Sequence, residues 1–280
     1  MTSGSRVTEN LRRVSLGAVG VLAVLAVTEL ALWADGASPA TFPLPTTVLA
    51  NAARLTANGG FWAAAGSTMA AWAEAMAITI AIAVPAGALL GLLPQAESAL
   101  RPVLEFLRPI PSVVLFPLIL LIVQDNGRAE LAVIVFASVW PVLINTVYGF
   151  REVDPAAKET LRGFGFGSLG VAWHVSLPSA APFIATGVRI AASIAFVVTI
   201  AVELIAVGLN GLGAFASQQQ GGNNAVAIML AVAIWCGIIG LVLNVVFVTA
   251  ERRAFRWHHV LSGTAGTTAT APTATAGAPA

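Results

Sequence analysis

Charge is scarce in this sequence. Only 10% of its 280 residues are Asp, Glu, Lys or Arg, against about 25% in an ordinary soluble domain. Hydrophobic residues make up 58%, so polar side chains cannot cover a water-facing surface and lipid must solvate the chain. Lysine is scarcer still. Lys158 is alone, and Glu159 follows it. A phosphate-binding loop needs a glycine before its lysine and a Ser or Thr after it. The chain therefore cannot hydrolyse ATP by that machinery, and no cofactor is expected in it. The single cysteine, Cys236, lies in an apolar run, which excludes an internal disulfide framework and reads as an inert thiol. The three histidines, His174, His258 and His259, form no His-Glu-x-x-His zinc site. Asp35, Asp125 and Asp154 all fall between apolar runs, so an intramembrane aspartyl protease is excluded, as is its serine counterpart for want of a Gly-x-Ser-Gly element in a span. A net charge of +1 without a basic tract gives no sign of a nucleic-acid partner.

What the sequence does have is apolar length. A membrane helix needs roughly 20 apolar residues, and the candidate spans are 14–34, 70–93, 112–123, 131–150, 181–207 and 225–250. The first has a basic flank, but it is long enough to span a bilayer and lacks a small-x-small cleavage site, so it reads as an anchor and not a cleaved signal. The third is short and interrupted by Pro109, Pro111 and Pro117, which leaves five spans as the alternative to six. Charge decides between them. With six, Arg6, Arg12, Arg13, Arg101, Arg108, Arg151, Lys158, Arg162, Arg189, Arg252, Arg253 and Arg256 share one side, and only Arg54 and Arg128 lie on the other. The positive-inside rule then puts both termini in the cytoplasm. The expected fold is an all-α polytopic membrane protein of about six transmembrane helices. Residues 1–13 form a cytoplasmic segment and 14–261 the membrane domain. Residues 262–280 are an Ala/Thr/Gly/Pro tail too poor in apolar surface to order itself.

The cytoplasmic loop at 151–180 holds the most information. Asp154-Pro155 is a good helix start, with Asp as N-cap and Pro at the first helical position. A short helix is expected through Arg162, broken by Gly163, Gly165 and Gly167. A second is expected over 169–175, stopped by Leu177-Pro178. Leu161, Phe164, Phe166, Leu169 and Trp173 make a dense apolar surface. It suits either a partner site or an amphipathic hairpin lying on the bilayer. A bulky residue at Gly165 is expected to clash where the chain turns, particularly if its backbone takes a positive φ. Gly165-Phe166-Gly167-Ser168-Leu169-Gly170 matches the dinucleotide fingerprint in letters alone, since it lies between two membrane spans and not in a βαβ unit.

The run 159–178 resembles the signature loop of permease subunits in binding-protein-dependent ABC importers. That pattern has a Glu-Ala-Ala start, a glycine six residues after the glutamate and a closing Leu-Pro, and Glu159, Gly165, Leu177 and Pro178 fall at those spacings. Thr160 and Leu161 replace the usual alanines, Phe166 a small residue, and Gly170 lies in a usually polar stretch. Leu107-Arg108-Pro109-Ile110-Pro111, Trp140-Pro141-Val142-Leu143-Ile144-Asn145-Thr146, Glu203-Leu204-Ile205 and Glu251-Arg252-Arg253 look like the sulfonate, nitrate and taurine branch. The likeness covers about 11–259. It departs where an arginine and a later glycine are common, since Ala71 and Ala75 stand there with Glu74 between them.

The resemblance implies a non-catalytic subunit of a bacterial inner-membrane importer. Two copies would form the solute pathway. An ABC ATPase subunit, which binds the ATP, would dock on the loop through Glu159, Leu161, Phe164, Gly165, Phe166, Leu177 and Pro178. An extracytoplasmic solute-binding protein would deliver a small anion such as a sulfonate, taurine or nitrate. A stand-alone secondary transporter or channel is the competing reading. It should show an internal repeat and more intramembrane charge, and no clear repeat is found.

An ionisable group inside a span costs about 2.5–3.5 kcal/mol on insertion scales and is a functional candidate by default. Glu203 is the foremost such candidate, facing the pathway or else pairing or reaching the headgroups. Glu29 and Glu74 are placed near the outer ends of spans one and two, and Arg189 near the inner end of span five, where it can snorkel. Pro109, Pro111 and Pro141 are expected to bend helices beside the pathway, and Gly87-x-x-x-Gly91 to allow close helix packing.

Overall fold

Inside a membrane, every backbone N–H and C=O must find a partner within the chain, and uncharged apolar runs meet that demand as helices. The computed structural model describes residues 3–34, 42–222 and 224–255, and the tail expected at 262–280 lies outside them. The described residues form helices α1 (Ser3–Ala34), α2 (Pro45–Leu55), α3 (Gly59–Leu92), α4 (Pro94–Leu107), α5 (Phe116–Val123) and α6 (Asn126–Arg151). These are followed by α7 (Pro155–Gly163), α8 (Ser168–Val171), α9 (Leu177–Ile205), α10 (Leu212–Gln218) and α11 (Ala225–Ala254). Among the described residues, five helices are long and apolar enough to cross a membrane, or six if α4 and the Ser112–Val123 segment make one broken span.

The broken element is the short third span expected from the sequence. Pro109 and Pro111 lack the N–H that a continuing helix needs, although Arg108, before the first of them, still keeps helical angles. The helix therefore ends at Leu107 and restarts through a 3-10 turn at Ser112–Leu115. Pro141, by contrast, sits within α6 without breaking it. The second span is longer than expected. It begins at Gly59, so Glu74 lies well inside α3 and not near its start.

The chain divides into two compact units. One comprises Met1–Met76, Pro111–Ala137 and Ala195–Gly240, and the other Ala77–Ile110, Ser138–Ile194 and Leu241–Ala280. In the first, α2 fills a stretch that reads as an outer loop in the sequence. Val48, Ala52 and Leu55 recur at helical spacing and bury against Phe61, Leu212, Ala231 and Val232. The rings of Trp62, Phe215 and Trp235 surround Phe61 with centroids 5.3–6.0 Å away. The Trp235 indole donates to the Ala52 carbonyl at 2.9 Å. Glu29 of α1 explains itself here: its carboxylate accepts from the Thr46 backbone N–H at 3.0 Å and from the Thr46 hydroxyl at 2.6 Å. An acidic group at a helix N-terminus satisfies free N–H groups and meets the positive end of the dipole.

In the second unit, α3 packs closely on α6. A Cβ on Gly87 would lie 2.6 Å from the Thr146 Cβ, and one on Gly91 would lie 2.6 Å from the Phe150 Cβ. The expected small-residue packing is thus present. The hydroxyls of Thr79 and Ser138, both buried, bond each other at 2.7 Å.

Candidate functional site

The loop between α6 and α9 is ordered by its own backbone. Asp154 caps α7, its carboxylate accepting from the Ala156 N–H at 2.8 Å. At the other end the chain turns through Gly165, whose φ of +86° is cheap for glycine and costly for residues with a Cβ. The Phe166 N–H reaches back to the Leu161 carbonyl at 3.1 Å, and the Gly165 N–H to the Arg162 carbonyl at 2.9 Å. This pair of bonds, with Gly in the left-handed position, is the Schellman ending. The expectation of a clash at Gly165 is corrected. A Cβ there meets nothing within 4 Å, so a substitution is strained by the backbone angle alone.

The second short helix also differs from expectation. Leu177-Pro178 does not stop a helix. It opens α9, which follows α8 through a π turn at Ala172–Ser176. Proline is tolerated in a first turn, where its missing N–H has little to lose, and the wider turn accommodates the junction.

This geometry leaves an apolar surface uncovered. Phe164 is 79% exposed, Leu169 88% and Trp173 70%. Phe166 is less so, because its ring meets His174 edge-on at 5.5 Å and packs on Gly170. Leu161 is half-buried beneath the turn, Leu177 is half-buried and Pro178 exposed at the head of α9, and Glu159 is exposed on α7. The loop residues singled out in the sequence thus split into two sets. Leu161, Gly165 and Phe166 hold the turn, while Phe164, with Leu169 and Trp173, presents the free surface.

Glu203, on α9, is fully buried in the first unit. One carboxylate oxygen, Oε2, accepts from the Gly213 N–H at 2.9 Å and from the Thr68 hydroxyl at 3.0 Å. That hydroxyl in turn accepts from the Leu212 N–H at 2.8 Å. A buried carboxylate needs such donors to offset its lost hydration, and the two N–H groups belong to the first turn of α10, which has no side-chain cap of its own. A Cβ on Gly211 would overlap the Glu203 carboxylate. The stretch between the spans expected at 181–207 and 225–250 therefore contains a short helix buried at Leu212, Gly213, Ala214 and Ala216.

A second buried carboxylate escaped the sequence reading. Glu130 is 5% exposed on α6, just ahead of the span expected at 131–150. Its helical neighbours Ala129, Val133 and Ile134 are all fully buried, and that i, i+3, i+4 face was the available signal. Glu74 is exposed. Arg189 pairs with Glu251 at 3.2 Å. Pro109 and Pro111 are exposed at the break, and Pro141 is half-buried, its carbonyl accepting from the Asn145 amide at 2.8 Å. No group of three or more potential metal ligands occurs among the described residues.

Long apolar helices and a capped helical loop between two of them define a multi-pass helical membrane protein. The chain belongs to the family of binding-protein-dependent transport system inner membrane components, whose pattern is matched by residues 83–256. It is 34% identical over 187 residues to the bicarbonate transport system permease protein CmpB of Synechococcus elongatus, covering 67% of this chain and 66% of that one. It thus spans just under two thirds of that relative's length. It is 29% identical over 257 residues to the taurine transport system permease protein TauC of Escherichia coli, covering 88% and 91%. Over 193 residues it is 29% identical to the nitrate import permease protein NrtB of Leptolyngbya laminosa, covering 68% and 67%. In fold it is similar to a chain of the inward-facing MetNI methionine ABC transporter, with a TM-score of 0.59 and 19% identity over 69% of this chain and 94% of that one.

Proposed function

We propose that this chain is the membrane-spanning permease subunit of an ABC importer, with no catalytic residue of its own. A second copy completes the solute pathway, and a separate ATPase docks on the α7–α8 surface. A solute-binding protein delivers a small anion, of the sulfonate, taurine, nitrate or bicarbonate kind, to the opposite face. Family membership supports the class, and the descriptions of the relatives support the anion. Neither favours a stand-alone transporter or channel. The arginine asymmetry supports cytoplasmic termini. Pro109 and Pro111, exposed at a break in a span, and Pro141 are pathway candidates. Glu203 is offered as the group that holds α10 in place beside that pathway.

The observation that carries the docking assignment is the exposure of Phe164, Leu169 and Trp173 on a loop whose first helix, α7, is capped at both ends. Rigid aromatic anchors lose little freedom on binding and commonly dominate interfaces, each costing about 2 kcal/mol or more when truncated, which is about a thirtyfold weaker association. Phe164→Ala and Trp173→Ala test this better than Phe166→Ala, because Phe166 also packs within the loop. The measurement is co-purification with the ATPase, followed by solute-stimulated ATP turnover in vesicles. Both variants should insert normally and lose the ATPase or its coupling. Full retention of both would return the loop to a hairpin lying on the bilayer.

A further inference from the structure

Beside the loop, within the second unit, α4 and the C-terminal end of α6 enclose a cavity of about 190 Å³. Its polar wall follows from helical spacing. Glu97, Arg101, Glu105 and Arg108 recur at i, i+4, i+8 and i+11 along one face of α4 and its cap, and Tyr148 and Arg151 face them from α6. Leu104, Leu143 and Val147 supply an apolar floor. Two of the three arginines are already answered. Arg151 pairs with Glu97 at 2.9 Å, and Arg101 with Glu105 at 2.8 Å. Arg108 has no acidic partner among the described residues. The cavity therefore holds one guanidinium more than it has carboxylates. A guanidinium presents a planar fork of donors suited to carboxylate and phosphate oxygens.

The surroundings say what carries the missing negative charge. The opposite face of α4 exposes Leu100, Val103 and Phe106, at spacing i, i+3 and i+6, which is a surface for acyl chains. Tyr148, the only tyrosine in the sequence, stands exposed near the basic end of a spanning helix. That pairing of aromatic and basic groups is typical of the membrane interface. Basic pockets between spanning helices at that depth take anionic lipid headgroups. We propose that this cavity binds a phosphate-type oxyanion, seated on Arg108 with the Tyr148 hydroxyl as a second donor, and that the oxyanion is the headgroup of an anionic phospholipid. The Arg151–Glu97 and Arg101–Glu105 pairs form its fixed walls, and the apolar floor accepts the first carbons of the lipid. The assignment needs only a membrane-embedded chain, and it stands whether or not the loop docks an ATPase.

The test is a titration of the purified full-length protein with phosphatidylglycerol, phosphatidylcholine or inorganic phosphate, with bound molecules counted by native mass spectrometry. Arg108 makes no side-chain bond among the described residues, so Arg108→Ala removes the charge without orphaning a carboxylate, and thermal unfolding should match the parent. A hydrogen bond to a charged group lost in this way weakens binding by about tenfold or more. Phosphatidylglycerol should therefore bind more weakly by that factor in Arg108→Ala, and Arg108→Lys should recover part of the loss, while phosphatidylcholine binding stays unchanged. Arg108-dependent binding of inorganic phosphate, without any for phosphatidylglycerol, would keep the oxyanion site and assign it to a free anion. Equal binding of both probes by the parent and Arg108→Ala would overturn the proposal, as would a cavity closed to both probes in the parent.

Discussion

Thr68→Val probes the Glu203 lock with the smallest change in shape. Valine keeps the branched outline of threonine, so no cavity opens, but it removes the hydroxyl that stands between two elements distant in sequence. Two bonds go. The first is the donation to Glu203 Oε2 at 3.0 Å, a bond to a charged group worth about 1.5–3 kcal/mol. The second is the acceptance from the Leu212 N–H at 2.8 Å. That N–H stays buried beside a methyl group, and leaving it unsatisfied costs about 1–3 kcal/mol. With the Gly213 bond to Glu203 still in place, the expected loss is about 3 kcal/mol for holding the first turn of α10. That is about a hundredfold in the local opening equilibrium. Hydrogen exchange of the full-length protein reads this directly in peptides covering 206–218. The α7 peptide, 155–163, serves as a control, because nothing in the lock touches it. The reasoning fails if the α10 amides of Thr68→Val exchange at the parental rate. It also fails if α7 and α10 accelerate together, since the effect would then be general destabilisation.

Three other outcomes are expected. Glu203→Gln can turn its carbonyl oxygen toward the Gly213 and Thr68 donors, so α10 should keep its protection and the complex should assemble. Uptake that falls in that variant assigns a role to the charge itself, and normal uptake confines Glu203 to support. Gly165→Val should cost about 1–2 kcal/mol from the left-handed backbone and weaken ATPase retention, whereas Gly165→Asn, a residue that tolerates this region, should retain it. ATPase retention equal in both variants would remove the φ argument. In a Cys236→Ser background, a cysteine at Gln220 should label from outside whole cells and one at Ser262 should not. Outside labelling at Ser262 would end the cytoplasmic placement of the termini.

The legible parts of this molecule were those encoded within a turn or two of sequence. Apolar length gave the spans, Asp154-Pro155 gave the start of α7, and the spacing from Glu159 to Gly165 gave the turn that the φ of Gly165 displays. The illegible parts depend on residues that meet only after folding. Thr68 and Glu203 are separated by 135 positions, and neither carries any local mark of α10. Glu29 looks like an interfacial charge until α2 brings Thr46 to it. The π turn was missed because a Leu-Pro step can close one helix or open the next, and only the backbone path from α8 shows which it does here.

That π turn has a consequence for how motion at the loop is carried. From Ser168 to Ile205 the chain is one helical stretch of 38 residues without an intervening coil. A push on Trp173 near its base therefore has no slack linker to take up. The wider turn also sets the register of α9. Each residue advances a helix by about 100°, so deleting one residue within Ala172–Ser176 would rotate all of α9 by that angle. The seam of Ala191, Ala195, Thr199 and Glu203, now buried, would swing away from its partners, and Ala192, Phe196, Ile200 and Leu204 would take their places. A single-residue length change in the loop is thus a change of azimuth along the entire helix.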